Sequence, residues 1–251
     1  MEQYKKGIVC FLDILGTKNT NNFDMKYKIH KIWHTETHKV EKRENLPGRS
    51  RALKRKVYSF SDCAYFTYEF KDGNCSSPKN YKRILRVLTT LLVPIQLIML
   101  EGFLVRGGIT CGDYFVDELG IFGPAIELAY VLESSYAIYP RIIIDDYFGN
   151  ILFDIQKKMY FKNFIIKDHD FYFINPFYRI GEYNKLGTTK FTRKIFFDKL
   201  ESQANKMLNN NKNEKVKVKW RWISELIKKE HKLEESKRSN IPHHRTVPDP
   251  S

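Results

Sequence analysis

Apolar residues fall in short runs rich in β-branched and aromatic side chains, and turn-forming residues separate these runs along the first 175 residues. Such runs are typical of half-buried strands. Two of them flank Ser61-Asp62 so closely that they predict a hairpin. Single strands are predicted at 7–14, at 103–109 and at 140–144. The hairpin around Ser61-Asp62 covers 56–70, and a second hairpin is predicted at 163–175. A turn through 110–113 is predicted to lead into a further strand that ends at 116.

Longer segments carry helical patterns. The most apolar one predicts a helix from about Pro78 to Leu100, with proline in its first turn. It contains charged and polar residues and falls short of the ~20 clean apolar residues of a membrane span, so we expect a buried core helix. Further helices are predicted at 27–40 inside a polar insertion at about 19–55, at 123–136, and as two basic helices on either side of Asn209–Lys217.

The order of elements predicts an α+β fold. Its core is a ferredoxin-like ββαββα sandwich, with helices on one face of a mainly antiparallel sheet. The predicted organisation is a folded domain at 1–190, a basic helical extension at 191–238, and a tail at 239–251. Three prolines in the tail favour flexibility there.

Composition narrows the class of protein. The 251 residues include 18 Phe and 15 Tyr, which indicates a folded chain, and 43 basic against 29 acidic residues give a charge of +14 that attracts polyanions. The four cysteines form no CxxC motif, so we expect reduced thiols and a cytoplasmic protein. The N-terminal apolar run is interrupted by Asp13 and lacks a small-residue cleavage site, which argues against a signal peptide.

Two acids mark the candidate site. Asp13 lies in the segment FLDILG and Asp62 in YSFSDCAYF, each where an apolar run breaks. Acids on adjacent strands can hold Mg²⁺ or Mn²⁺, and two such ions can promote in-line displacement on a triphosphate. The backbone of Gly16 and Thr17 can approach phosphates closely. The alternative is that both acids are ordinary turn residues.

A third segment, LVRGGITCGD at 104–113 followed by GPAIELAYVLE at 123–133, completes an ordered set. With this set, residues 7 to 145 resemble the catalytic domain of class III nucleotidyl cyclases. The phrases FLDILG, FSD, VRGGIT, FGPA and YPRI are similar to the cyclases of the Pycsar antiphage system, which make cyclic UMP or cyclic CMP.

The resemblance implies a site and a reaction. Asp13 and Asp62 would bind two Mg²⁺ or Mn²⁺ ions, with the carbonyl of Ile14 as a third ligand. UTP or CTP would be converted to the 3′,5′-cyclic nucleotide and pyrophosphate. Two protomers would pair head to tail and form composite active sites, and a separate effector would sense the product. A membrane span is not expected, and nucleic acid is not the expected partner.

Departures from the family pattern bear on the substrate. The positions that read adenine in adenylate cyclases, a Lys and an Asp, are Tyr58 and Gly120 here. A tyrosine offers bulk, a stacking face and one hydroxyl, which suits a smaller pyrimidine; the alternative is an ordinary strand aromatic. Arg106 can direct its donors to a pyrimidine carbonyl or to phosphate, or it can form a surface ion pair.

A second departure concerns the cation of the transition state. The family's helix Asn and Arg fall on Glu127 and Val131 here. Either Arg141 or Lys18 substitutes, with Arg141 preferred, or metal ions and backbone suffice, or the protein is inactive. The last option makes a catalytically inactive nucleotide sensor one rival function.

Two further features have two interpretations each. His30, His34 and His38 share a helical face that could bind Zn²⁺ or simply be solvated. The segment Lys215–Arg238, with Trp220 and Trp222, could bind nucleic acid or pack as an amphipathic helix. An RNA-binding or polymerase-like domain is therefore the other rival function.

Overall fold

The structure is a computed structural model that describes residues 3–17, 21–36, 53–70, 78–180 and 191–239. Predictions on Lys18, His38 and the C-terminal tail beyond Ser239 lie outside the described residues. Eight strands form the sheet. They are β1 (Lys5–Leu15), β2 (Leu53–Phe60), β3 (Cys63–Phe70), β4 (Leu104–Val116), β5 (Ile121–Phe122), β6 (Ile142–Ile144), β7 (Ile165–Asp168) and β8 (Phe171–Ile174).

The strand order is β2-β3-β1-β4-β6-β8-β7, with β5 paired to β4. The β4–β6 pair is parallel, and the other pairs are antiparallel. The predicted α+β class and mainly antiparallel sheet are therefore confirmed. The helices are α1 (Phe23–Lys31), α2 (Pro78–Thr90), α3 (Leu92–Leu100), α4 (Pro124–Val131), α5 (Asp146–Lys157), α6 (Arg193–Asn210) and α7 (Glu214–Ser239), and π-helical turns follow α1 at Ile32–Glu36 and α4 at Leu132–Tyr136.

Helices cover both faces of the sheet, so the prediction of helices on one face is wrong. We call the face that carries Phe11 and Asp13 of β1 the acid face. Gly108 pairs with Phe11 on this face, and the backbone of Ala129 in α4 packs directly on it. On the opposite face Cys10 pairs with Phe66, whose ring meets Trp33 of the first π turn. The order of elements along the chain does not specify the face on which each helix packs.

β4 runs without a break through the turn predicted at 110–113. Its pairing with β1 continues from Leu15↔Leu104 to Lys5↔Tyr114, so the long partner strand supplies hydrogen bonds along its length. Gly112 packs against Ala125 of α4. A Cβ placed on Gly112 would lie 3.3 Å from the Cβ of Ala125. This glycine therefore allows close packing of a helix and does not mark a turn.

The helix predicted at 78–100 is two helices that meet at Leu91. Pro94 accounts for the break, because proline cannot donate a hydrogen bond and its ring clashes with the carbonyl of Thr90, four residues earlier. α5 was not predicted from the sequence. Its start is nevertheless encoded locally, since the Asp145 side chain accepts a hydrogen bond from the Phe148 amide, as an N-cap does.

The apolar stretch Asn80–Leu100 is long and apolar enough to cross a membrane by length and composition, but most of it is buried inside the fold. It includes Gln96, which is buried and donates from Nε2 to the carbonyls of Pro176 and Tyr178. The prediction that this stretch is buried in the core is confirmed.

The chain divides into two compact units, residues 1–200 and 201–251. In the second unit α7 carries ion pairs on its surface, such as Arg221 with Glu214 at 2.6 Å. Its buried side chains recur at helical spacing, as an amphipathic helix requires. They are Trp220, Ile223, Leu226 and Ile227.

Substitution of Gly108 tests the contact between α4 and the sheet. A Cβ at this position would clash with the carbonyl oxygen of Ala129 and lie 2.6 Å from the Leu132 Cβ. We expect Gly108→Ala to lower the free energy of unfolding by ~1–3 kcal/mol, as overpacking does. Gly120→Ala is the control, because nothing lies within 4 Å of its Cβ position. Equal melting temperatures of the two variants would contradict the proposed packing.

Candidate active site

The register of the sheet places three polar side chains side by side on the acid face. Asp13 of β1 pairs with Cys63 of β3 on one side and with Arg106 of β4 on the other. Directly opposed residues of antiparallel strands point to the same face. Asp13 is therefore flanked by a thiol and a guanidinium near the end of the central strand.

Asp62 reaches the same place from the hairpin between β2 and β3. The turn has Ser61 at a φ of 56°, and the Ile14 amide donates to the Asp62 carbonyl at 3.2 Å. The buried Thr17 hydroxyl donates to the Asp62 carboxylate. Gly16, at a φ of 99°, provides the left-handed turn that brings Thr17 back toward the acid. Two hydrogen bonds thus tie Asp62 to Ile14 and Thr17, in the segment that directly follows Asp13.

One arginine serves two acids in this site. Arg106 Nε lies 3.2 Å from Asp13 Oδ2 and 2.5 Å from Glu133 Oε1. Glu133 lies in the π turn after α4 and is 3% exposed. A buried carboxylate needs such a partner, because an unpaired charge in the interior costs several kcal/mol.

Burial controls the protonation of the site. It raises the pKa of Asp13, an effect that Asp62 increases and Arg106 opposes. Burial also raises the pKa of the Cys63 thiol, with further contributions from Asp13 and Asp62. Cys63 is a free thiol and stays protonated at neutral pH. The acid pair is thus crowded with negative charge that a cation would relieve.

The donor set of the acid pair fits a hard divalent cation. Mg²⁺ is commonly held by one or two carboxylates, with water and phosphate oxygens as the other ligands. Asp13 and Asp62 provide these two carboxylates. No group of three or more His, Cys, Asp or Glu side chains suited to a metal occurs in the described ranges, and the two-acid site does not require one. The Ile14 carbonyl remains a predicted ligand.

Tyr58 lies on β2, where it pairs with Tyr65 of β3. It packs against the apolar cluster that includes Phe11 and Ala129, and its hydroxyl donates to the carbonyl of Asp117 between β4 and β5. Burial raises the pKa of Tyr58, and the charges of Asp117 and Glu118 raise it further. The ring is therefore held in place by its own hydroxyl, which leaves bulk as its contribution to a pocket.

Arg141 lies in a separate cluster, and the structure does not bring it into contact with the acid pair. Its guanidinium stacks over the Phe171 ring at 4.4 Å and lies 3.6 Å from Asp168. Its side chain is buried, and burial lowers its pKa. Ile142 pairs with Gly107, so the backbone of Arg141 is adjacent to that of Arg106. The charge of Arg141, however, is engaged by Asp168 and Phe171 of the β7–β8 hairpin.

The other predicted positions are only partly brought to the site. Glu127 and Val131, where the family has its Asn and Arg, are exposed on α4. The rings of His30 and His34 are tilted by 47° with centroids 4.6 Å apart, and His34 Nε2 lies 2.7 Å from Ser59 Oγ. Of the cysteines, Cys10 is a buried free thiol, whereas Cys111 is disulfide-bonded. The expectation of reduced thiols is thus confirmed for Cys10 and Cys63 and is wrong for Cys111.

Glu133 is the site residue that sequence reasoning missed. Its signal was present in the sequence, because Ala125, Ala129 and Glu133 are spaced by four, a spacing that puts residues on one row of a continuous helix. An acid in the row of two buried alanines requires a buried partner. Arg106 is one such partner.

Comparison with solved structures returns cyclase domains at low sequence identity. The guanylyl cyclase domain of the RhoGC fusion protein from the fungus Blastocladiella emersonii is 16% identical, with a TM-score of 0.45 over 69% of this chain and 96% of that one. The guanylate cyclase domain of RhGC from Catenaria anguillulae in complex with GTP is 15% identical, with a TM-score of 0.44 over 70% of this chain and 98% of that one. A bacterial light-regulated adenylyl cyclase is 14% identical, with a TM-score of 0.41 over 79% and 100%. Neither a family model nor a curated protein matches this chain.

The raised pKa of Asp13 predicts a pH-dependent gain in stability on its replacement. Because the native state binds the Asp13 proton more tightly than the unfolded state, the wild type loses stability as pH rises through the folded pKa. Asp13→Asn removes this loss. We expect it to melt at a higher temperature than wild type at pH 7. The gain should vanish in acid, and a lower melting temperature at pH 7 would contradict the expectation.

Proposed function

We propose that this protein is a pyrimidine nucleotide cyclase that converts UTP, or else CTP, to the 3′,5′-cyclic nucleotide and pyrophosphate. The observation that carries the proposal is the convergence of Asp13 and Asp62 beside Arg106 at the end of the central strand. Two carboxylates with a neighbouring guanidinium can receive a triphosphate together with its metal ions. The motifs that resemble class III cyclases supply the reaction type.

In the proposed reaction the ribose 3′-hydroxyl attacks the α-phosphorus, the new P–O ester bond closes the ring, and the bond to the β-phosphate oxygen breaks. Two Mg²⁺ or Mn²⁺ ions held by Asp13, Asp62 and the Ile14 carbonyl would activate the hydroxyl and neutralise the leaving pyrophosphate. Thr17 orients the Asp62 carboxylate by its hydrogen bond. The turn at Gly16 lets backbone approach the phosphates, since it carries no side chain.

Arg106 is the cation that this proposal places on substrate. It is already at the acid pair, whereas Arg141, preferred from the sequence as the transition-state cation, is stacked on Phe171 and paired with Asp168. For Arg141 to serve in catalysis, it would have to leave that cluster. Lys18 remains the other sequence-based substitute.

The pyrimidine preference is proposed from Tyr58. By the resemblance, Tyr58 falls at the sequence position of the purine-reading Lys of adenylate cyclases, and its hydroxyl is engaged by the carbonyl of Asp117. A bulky side chain held in this way leaves room for a small base. The carbonyl oxygens of uracil or cytosine can accept from Arg106.

We further propose a head-to-tail homodimer with composite sites, a cytoplasmic location and a role in antiphage defence through a separate effector. Support for the dimer comes from large apolar side chains left exposed on α4, on β5, at the end of β2 and in the turn between β4 and β5. Exposed apolar groups of this kind mark association surfaces. They include Phe60 at 82%, Leu119 at 96%, Phe122, Leu128, Tyr130 and Val131.

A catalytically inactive nucleotide sensor is the second candidate. It is favoured by Glu127 and Val131, which replace the family's ribose-binding and phosphate-binding side chains. Such a protein would bind nucleotide and metal at the same acid pair without product. The assay that follows separates it from the enzyme.

Incubation with each of ATP, GTP, CTP and UTP in Mn²⁺, with product identification, tests the proposed activity. We expect cyclic UMP or cyclic CMP, and at least a ~100-fold loss in Asp13→Ala and Asp62→Ala because each removes a metal ligand. Asp154→Asn, at an exposed ion pair on α5, is the control and should retain full activity. If no cyclic product forms from any nucleotide, the cyclase proposal fails. Salt-sensitive binding of RNA that survives Asp62→Ala would favour the polynucleotide-binding alternative.

Two variants of Tyr58 test whether it acts by bulk. Tyr58→Phe removes the hydroxyl that bonds Asp117 but keeps the ring, so we expect its preference for pyrimidine over purine nucleotides to be unchanged. Tyr58→Ala opens space and should reduce that preference by ~10-fold or more, as the loss of a shape contact does. The measurement is kcat/KM for UTP, CTP, ATP and GTP. A preference lost equally in both variants would show that the hydroxyl reads the base.

A further inference from the structure

Two tyrosines lie side by side on the acid face. Tyr65 of β3 pairs with Tyr58 of β2 on one side and with Phe11 of β1 on the other. Directly opposed residues of antiparallel strands point to the same face. The ring of Tyr65 lies against that of Phe11, with centroids 4.5 Å apart and planes tilted by 35°. Packing of the ring therefore fixes where the Tyr65 hydroxyl lies.

The hydroxyls of the two tyrosines differ in what they bond. The Tyr58 hydroxyl donates to the carbonyl of Asp117. Among the described residues, the hydroxyl of the partly buried Tyr65 has no hydrogen-bond partner. Burial, with smaller contributions from neighbouring ionisable groups, raises the pKa of Tyr65 to about 12, so the hydroxyl keeps its proton at neutral pH. A free donor thus lies beside a tyrosine whose own donor is already used.

The acid face is less buried near these tyrosines than under α4. The backbone of α4 packs directly on Gly108 of β4, whereas Tyr58, Cys63 and Tyr65 are only partly buried. Cys63 lies two residues before Tyr65 and pairs with Asp13, so the less buried part adjoins the acid pair. Strand residues two apart are separated by ~7 Å, a distance that one nucleotide can span between its phosphates and its base.

We propose that Tyr65 is a specificity-determining residue whose hydroxyl donates a hydrogen bond to a carbonyl oxygen of the pyrimidine base, while Tyr58 limits the pocket by its bulk. This inference rests on the proposed function and deepens it. Uracil and cytosine both carry a ring carbonyl, whereas adenine carries none, so the donor favours pyrimidines over adenine. Guanine has a carbonyl, and the bulk of Tyr58 excludes it. A donor left unpaired by the wrong base discriminates more strongly than a shape contact does.

Binding without turnover tests the proposal. Tyr65→Phe removes the hydroxyl and keeps the ring on Phe11. Affinity is measured by calorimetry with Mn²⁺ and 3′-deoxy-UTP or 3′-deoxy-CTP, whichever the wild type binds more tightly, since these nucleotides lack the attacking hydroxyl. We expect the affinity to fall ~3–10-fold, as the loss of one neutral hydrogen bond does. The melting temperature should not change, because no hydrogen bond within the described part of the protein is lost.

Tyr172→Phe is the matched control. The Tyr172 hydroxyl donates to Asn150 Oδ1 at 2.9 Å and its side chain is buried, so we expect this variant to melt at a lower temperature and to bind nucleotide as the wild type does. Inorganic triphosphate with Mn²⁺ is the ligand without a base. Its affinity should be the same for Tyr65→Phe and for the wild type.

The inference is overturned if Tyr65→Phe binds the nucleotide as the wild type does, if its affinity for triphosphate falls equally, or if the wild type binds neither nucleotide. A lower melting temperature of Tyr65→Phe would also contradict it, since the hydroxyl would then have a partner within the protein. Failure of the cyclase proposal gives a different result. In that case no cyclic nucleotide forms, while Tyr65→Phe still weakens nucleotide binding.

Discussion

The pairing of β1 with β3 on one side and β4 on the other is the constraint on which the site depends. This register sets Asp13 beside Cys63 and Arg106, and the chain that continues from β1 returns Thr17 to Asp62. A slip of one residue would turn Asp13 to the opposite face, among the apolar contacts of Trp33 and Phe66. The buried side chains of β1 make that slip expensive, so the core of the fold and the position of the acid are fixed together.

Charge balance links the rest of the site to this strand. Among the described residues, Asp13, Asp62 and Glu133 bring three carboxylates together, and Arg106 forms ion pairs with Asp13 and Glu133. Such an imbalance is unfavourable in a protein interior unless cations are supplied. The chain as a whole carries a charge of +14, yet the acid pair is locally negative. The proposed metal ions and the bridging arginine are two ways to meet the same electrostatic requirement.

Much of the fold could be predicted because its signals are local. The hairpin around Ser61-Asp62, the strand ending at Asp13 and the helix opened by Pro124 all follow from neighbouring residues. The two acids were also predicted to meet, since adjacent strands end together. The partner of Glu133 and the engagement of Arg141 by Asp168 could not be predicted, because each depends on contacts between distant segments. The faces on which the helices pack likewise depend on contacts between distant segments.

The contact of Gly108 with Ala129 joins a helix and a strand backbone to backbone, with no side chain between them. Nothing compressible separates the two elements there, so α4 and this part of β4 must shift together. Arg106 lies two residues along the strand from that contact, and Glu133 lies four residues along the helix path. Pressure on the outer side of α4, where Leu128 and Val131 are exposed, would therefore be transmitted mechanically to both members of the ion pair. A protomer seated on that side would set the position of the arginine without touching it.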